Sequence, residues 1–97
     1  MKFSAQETAT GKQIVLSGRI TFADFDAIKS VIALVQECNG HRVELDLSAV
    51  EFIDSSALGM FMLVRDAARS KNIGLTFKSA KGQVKRIMNL ASFQMAA

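Results

Sequence analysis

Val43-Glu44-Leu45-Asp46-Leu47-Ser48-Ala49-Val50-Glu51-Phe52-Ile53-Asp54-Ser55-Ser56-Ala57-Leu58-Gly59 is the stretch on which the fold turns. Val43, Leu45 and Leu47 alternate with Glu44 and Asp46, the period-2 signature of a strand with one packed face. Val50, Phe52 and Ile53 then anchor a connection, and Asp54-Ser55-Ser56-Ala57 opens a helix predicted from Ser56 to Ser70. Ser and Asp are ordinary N-caps, each contributing about 1 kcal/mol by bonding an orphan N–H. A second reading is chemical. Unpaired N–H groups and the positive end of the helix dipole gather at this point, so a phosphoryl group placed on either serine finds partners in place.

The run Ala57-Leu58-Gly59-Met60-Phe61-Met62-Leu63-Val64 is apolar all round, whereas Arg65, Asp66 and Arg69 follow it. A helix of that kind is normally buried on every side, which is the expectation here. The alternative is that part of it, with its adaptable Met60 and Met62 side chains, lies exposed as a docking patch beside the serines.

Toward the N-terminus, residues 3–8 and 12–17 read as two strands joined through Ala9-Thr10-Gly11, a hairpin that Gly18 ends. Thr21-Phe22-Ala23-Asp24 resembles a capping box, and Phe25, Ile28, Ile32 and Val35 stripe the helix it opens. Asn39-Gly40 stops that helix, since both residues tolerate the left-handed conformation. Toward the C-terminus, Leu75-Thr76-Phe77 is a short strand, and Val84, Ile87, Met88 and Ala91 stripe a last helix. The order is ββαβαβα. An opening hairpin followed by strand-helix-strand units predicts a single α/β domain over residues 1–97, with a small mixed sheet and three to four helices. Ser55 then lies at the carboxyl end of a strand, where open α/β sheets place their sites.

Composition narrows the function. With 97 residues, 49% of them apolar and 22% charged, the chain has one core and the balance of an ordered domain. Its longest apolar run falls far short of the ~20 residues that span a bilayer, and no apolar leader opens it, so a cytoplasmic protein without membrane insertion is expected. Cys38 is the single cysteine and His41 the single histidine, too few for the usual zinc sets, and no metal or cofactor is expected. Residues 65–97 hold seven Lys/Arg against one acid, from Arg65, Arg69, Lys71, Lys78, Lys81, Lys85 and Arg86. Without Tyr, Trp or a nucleic-acid motif, that excess reads as solvated helix faces rather than a nucleic-acid surface. Asp46, Glu51 and Asp54 could hold Mg²⁺ in a receiver-like enzyme, yet Ser17-Gly18-Arg19 lacks the acids such a site needs, and no P-loop or G-x-G-x-x-G is present. No catalytic residue is assigned.

The quoted stretch resembles the strand, loop and phosphorylation helix of the STAS family, the domains shared by sulfate transporters and anti-sigma factor antagonists. Ser17-Gly18-Arg19-Ile20-Thr21-Phe22-Ala23-Asp24 and Lys81-Gly82-Gln83-Val84-Lys85-Arg86-Ile87-Met88 resemble further stretches of it, in the same order. Ala57 stands where the commonest family pattern has Gly, and the chain ends at Ser92-Phe93-Gln94-Met95-Ala96-Ala97 where many members continue into a strand and helix, so a shortened last edge is expected. In the antagonist branch the serine after the motif aspartate is phosphorylated by a partner that is both serine kinase and anti-sigma factor. The resemblance thus implies phosphorylation of Ser55, with Ser56 a cap or secondary site, and a partner surface of Asp54, Ser55, Ser56, Ala57, Gly59, Met60 and Met62. It implies a non-enzyme, monomer or weak dimer, whose unmodified form binds the kinase, frees a sigma factor and is restored by a phosphatase. The rival it leaves open is an unmodified STAS adaptor on the ATPase of a bacterial lipid-transport ABC system.

Overall fold

The computed structural model describes residues 1–91, 93 and 95–96. Strands β1 (Lys2–Glu7) and β2 (Gly11–Ile20) are followed by a 3-10 turn (Phe22–Asp24), α1 (Phe25–Gln36), β3 (Arg42–Ile53), α2 (Ser55–Ser70), β4 (Gly74–Lys78), α3 (Gly82–Leu90) and β5 (Met95–Ala96). The strands lie side by side in chain order, with β1 antiparallel to β2 and every later pair parallel. The α/β architecture and the order ββαβαβα, through α3, are as expected. The shortened last edge is the two-residue β5; Ser92, Gln94 and Ala97 lie outside the described residues.

Strands that follow one another in order, joined by right-handed crossovers, put their helices on one face of the sheet. Ile14, Leu16, Val43, Leu45, Leu47 and Phe77 face that layer and are buried, whereas Glu44, Asp46, Thr76 and Lys78 on the other face stay half-exposed. Between the layers sit Ile28, Val31 and Val35 of α1, Ala57, Met60, Phe61, Val64 and Ala68 of α2, and Val84 and Met88 of α3. Phe61, Phe77 and Phe93 close one end of this core with ring centroids 5.4 to 6.4 Å apart, in the tilted and edge-on arrangements that aromatic quadrupoles favour.

The central strands run further than the sequence suggested. β2 passes Gly18 to reach Ile20, and residues 48–53, read as a connection, belong to β3. Pairing shifts twice, from Val15↔Asp46 to Ser17↔Ala49 and from Gly18↔Val50 to Arg19↔Phe52, with β3 carrying the extra residue each time. Each bulge reverses the alternation, so the buried positions pass from Val43, Leu45 and Leu47 to Val50 and Ile53. The first bulge is held by Asp46 Oδ1, which accepts the Ser48 N–H at 2.8 Å. Gly18 sits at the second with φ +86°, a conformation that Cβ-bearing residues rarely adopt.

Two details of α1 also depart from expectation. The capping box is present, with Thr21 Oγ1 accepting the Ala23 N–H at 3.3 Å and Asp24 Oδ2 accepting the Thr21 N–H at 2.9 Å, but it caps the start of the 3-10 turn and not that of α1. The buried stripe is accordingly Ile28, Val31 and Val35, with Ile32 half-buried and Phe25 45% exposed at the helix entrance. The helix then ends at Gln36 without using a left-handed residue at Asn39-Gly40. Gly40 is needed for another reason: a Cβ there would collide with the Thr10 carbonyl oxygen, where the hairpin turn meets the start of β3.

The carboxyls of Asp46 and Asp24 are both held below their ordinary value of 3.8, Asp46 chiefly by the Ser48 backbone N–H and Asp24 chiefly by that of Thr21. A carboxyl that binds its proton less readily in the folded state stabilises the fold above the unfolded pKa, and that stabilisation disappears as pH falls through the folded one. The urea midpoint is therefore expected to start dropping below about pH 5 and to keep dropping below 3.8, and Asp46→Asn should flatten that slope. Denaturation curves at several pH values check it.

Candidate functional site

The carboxyl end of β3 delivers Asp54 to the start of α2 in extended conformation, and Asp54 is the N-cap. Its Oδ1 accepts the Ala57 N–H at 3.0 Å, while Oδ2 accepts the Phe22 N–H at 3.3 Å from the turn after β2. One carboxylate thus caps the helix and ties two neighbouring loops together. The cap expected of Ser56 belongs to Asp54, and α2 begins one residue earlier than predicted, with Ser55 as its first residue.

Gln83 supplies a second clamp. Its side-chain amide accepts the Ile53 N–H at 3.1 Å and donates to the Ile53 carbonyl at 2.8 Å, imitating a strand partner at the last residue of β3. α3 is thereby fastened to the residue before Asp54. Sequence reading missed this role, since its only trace was a polar residue beside the apolar stripe of α3. Gln83→Ala leaves a backbone N–H and C=O without their partner, so a loss of about 1–3 kcal/mol in urea unfolding is expected.

Ser55 and Ser56 are both exposed, and neither hydroxyl hydrogen-bonds to a described residue. Ser55 stands on the rim of a groove of about 490 Å³ between α2 and α3, lined also by Phe52, Ile53, Asp54, Leu58, Gln83, Ile87, Leu90 and Ala91. Leu90 is 78% exposed there, and across Asp54 the Phe22 side chain is 75% exposed. An exposed hydroxyl framed by apolar surface is accessible to a modifying partner and lies where such a partner could cover it.

The helix period sorts the remaining candidates. Ala57, Met60, Phe61, Val64 and Ala68 share the inner face, whereas Ser55, Gly59, Met62 and Asp66 share the outer one. Met60 is only 5% exposed and Ala57 wholly buried, which corrects the expectation that they belong to an exposed patch. Met62 and Leu63, at 45% and 46% exposure, do lie at the surface. The all-round apolar run is therefore half core and half surface, and full burial is not what the structure adopts. Asp54, Ser55, Ser56, Gly59 and Met62 are brought together at one end and along one face of α2.

Among the described residues no three of His, Cys, Asp and Glu gather as a metal-binding group, and no helix is long and apolar enough to cross a membrane. A family model described as "Mlab, STAS domain" matches residues 3–95. The chain belongs to the STAS family. A STAS-domain containing protein of Pseudomonas aeruginosa (strain UCBPP-PA14) is 28% identical over 99 residues, covering 97% of this chain and 94% of that one. Among solved structures, the anti-sigma factor antagonist SpoIIAA in its unphosphorylated form superposes with a TM-score of 0.77 at 11% identity, over 94% of this STAS domain and 81% of SpoIIAA. An anti-sigma factor antagonist from Mycobacterium paratuberculosis gives 0.75 at 21% identity, over 94% and 77% of the two chains. A murine anion transporter of the Solute Carrier 26 family gives 0.76 at 20% identity, where this STAS domain spans 88% of its own length and 14% of the transporter. At these identities the likeness is one of fold, shared by antagonists and transporters alike.

Proposed function

We propose that this STAS domain is an anti-sigma factor antagonist, a cytoplasmic protein that binds a serine kinase/anti-sigma partner when unmodified and is switched off by phosphorylation of Ser55. The observation that carries the reading is the placement of Ser55: its hydroxyl is exposed, first in α2, and on the lip of an apolar groove. The kinase moves the γ-phosphoryl group of ATP to Ser55 Oγ, releasing ADP and, to solvent, the hydroxyl proton, and a phosphatase returns the serine and inorganic phosphate by hydrolysis. The modified residue gains about 1.5 to 2 negative charges beside Asp54, at the edge of the surface a partner must dry. Two solved antagonists of the same fold support the role.

Mass spectrometry of protein from its native cytoplasm, prepared with and without phosphatase inhibitors, tests the reading against a Ser55→Ala control. Phosphate on Ser55 is expected. A second reading stands beside it because the matching family model is that of an Mlab-type STAS domain: an adaptor on the ATPase of a lipid-transport ABC system, bound without modification. Persistent absence of phosphate together with a stable ATPase complex would select it.

Gly59 bears on the partner surface. It stands in mid-helix on the exposed face of α2, and a Cβ there would meet nothing within 4 Å. Glycine in that position costs roughly 0.5–1 kcal/mol relative to alanine, and no packing inside the domain explains it. A partner backbone approaching closely at this point does. Gly59→Ala is expected to stabilise the domain by that amount while weakening partner binding, a divergence that paired urea and calorimetric titrations check.

A further inference from the structure

The far end of α2 borders another cleft, of about 530 Å³. It begins at Arg65, ten residues and so roughly 15 Å of helix from Ser55, and is independent of the site there. Its walls are Ile73, Leu75, Phe77 and Phe93, and two arginines a turn apart, Arg65 and Arg69, face it from α2. The Arg65 guanidinium lies over the Phe93 ring, 5.1 Å from its centroid, so one face of the planar group is held by the aromatic.

Among the described residues Arg65 is also incompletely bonded. Its Nε is hidden from solvent and has no hydrogen-bond partner among the described residues. The described ion pairs join the Met1 amino group to Asp24, Lys29 to Asp26 and Lys78 to Glu44, and none involves Arg65 or Arg69. A guanidinium N–H withdrawn from water without an acceptor is costly, and folded proteins seldom leave one without a protein, water or ligand partner. Lys71, exposed in the turn that follows α2, adds a further positive charge near this end.

We propose that this cleft binds a small organic anion, one carboxylate or phosphate group on an aryl or short alkyl body. Arginine forks match planar or tetrahedral oxyanions in paired hydrogen bonds, and two guanidiniums one turn apart supply more donors than one such group needs. The apolar walls take the body, since a pocket of this size with a few polar groups at one side suits a small molecule. The charged head lies at the α2 side, and the body against Ile73, Leu75 and Phe77.

The test titrates the full chain with phenyl phosphate and phenylacetate, followed by calorimetry and amide NMR shifts. Inorganic phosphate and benzyl alcohol probe the head and the body separately. Both aryl anions are expected to saturate, with shifts centred on β4 and the second half of α2, and to bind on the order of tenfold or more tighter than either fragment. Arg69→Gln, exposed and outside the core, is expected to weaken the aryl anions about tenfold with the unfolding midpoint unchanged. Arg65→Lys, which keeps the charge but loses the fork, should weaken them as well. Ser55→Ala should bind them as the parent does, which separates this site from the phosphorylation site. Absence of saturation by either aryl anion, parent-like binding by Arg69→Gln, or equal binding of benzyl alcohol would each overturn the proposal.

Discussion

Met60→Asp is expected to abolish cooperative folding, while the same substitution two residues on, at Met62, shifts stability by about 0.5 kcal/mol or less. Met60 is 5% exposed and packed among the buried faces of α2, whereas Met62 is 45% exposed on the outer face. A carboxylate at position 60 loses its water with no described cation placed to receive it, an effective penalty of several kcal/mol even after relaxation. Loss of a buried Met side chain adds about 1.5–3 kcal/mol. Together these approach the whole stability of a small domain, about 5–15 kcal/mol. At position 62 the new carboxylate stays in water, and its repulsion from Asp66 one turn away costs only a few tenths of a kcal/mol, about the size of an exposed i,i+4 pair. Urea unfolding followed by circular dichroism distinguishes the two. If both variants fold, or neither does, the division of α2 into inner and outer faces is wrong.

That division was partly legible in the sequence. The positions Ala57, Met60, Phe61, Val64 and Ala68 already have helical spacing, but the residues between them are just as apolar, so hydropathy alone could not separate Met60 from Met62. The β3–α2 junction was easier, because alternation at Val43, Leu45 and Leu47 and the Asp54-Ser55-Ser56 punctuation point to the same place. The bulges left a faint trace. The buried residues Val43, Leu45, Leu47, Val50 and Ile53 are spaced by two and then by three, which a strict period-2 reading interprets as the strand stopping. The Gln83 clamp left only a polar residue beside the α3 stripe, since its partner Ile53 is 30 residues away and a side chain that imitates a strand has no local pattern. Asn39-Gly40 reads as a helix stop, yet α1 ends at Gln36, and the need for a small residue at position 40 comes from Thr10 across the fold, a contact that no local turn rule contains.

Ser55→Asp is expected to weaken the proposed complex with a kinase/anti-sigma partner by roughly 5- to 150-fold, the range of common coupling energies, with the unfolding midpoint nearly unchanged. The two halves of that statement have one electrostatic origin. A negative charge at the first residue of α2 is favoured by the helix dipole by about 0.3–1 kcal/mol, so the free domain accommodates it. The complex does not, because closing a partner over the groove beside Ser55 removes the water that solvates the new charge and brings it beside Asp54. Aspartate carries one negative charge where phosphoserine carries about 1.5 to 2, so the mimic should fall short of the modified protein. Ser55→Ala should bind as the unmodified chain does and be insensitive to the kinase. Calorimetric titration of the three forms at two salt concentrations separates charge from shape: with Ser55→Asp the loss should shrink as salt rises, whereas a steric block would persist. Met62→Asp completes the comparison, for it adds the same charge to the same outer face two turns from the serine. If Met62→Asp fails to bind while Ser55→Asp binds like Ser55→Ala, the docking surface is assigned correctly and the switch is not at Ser55.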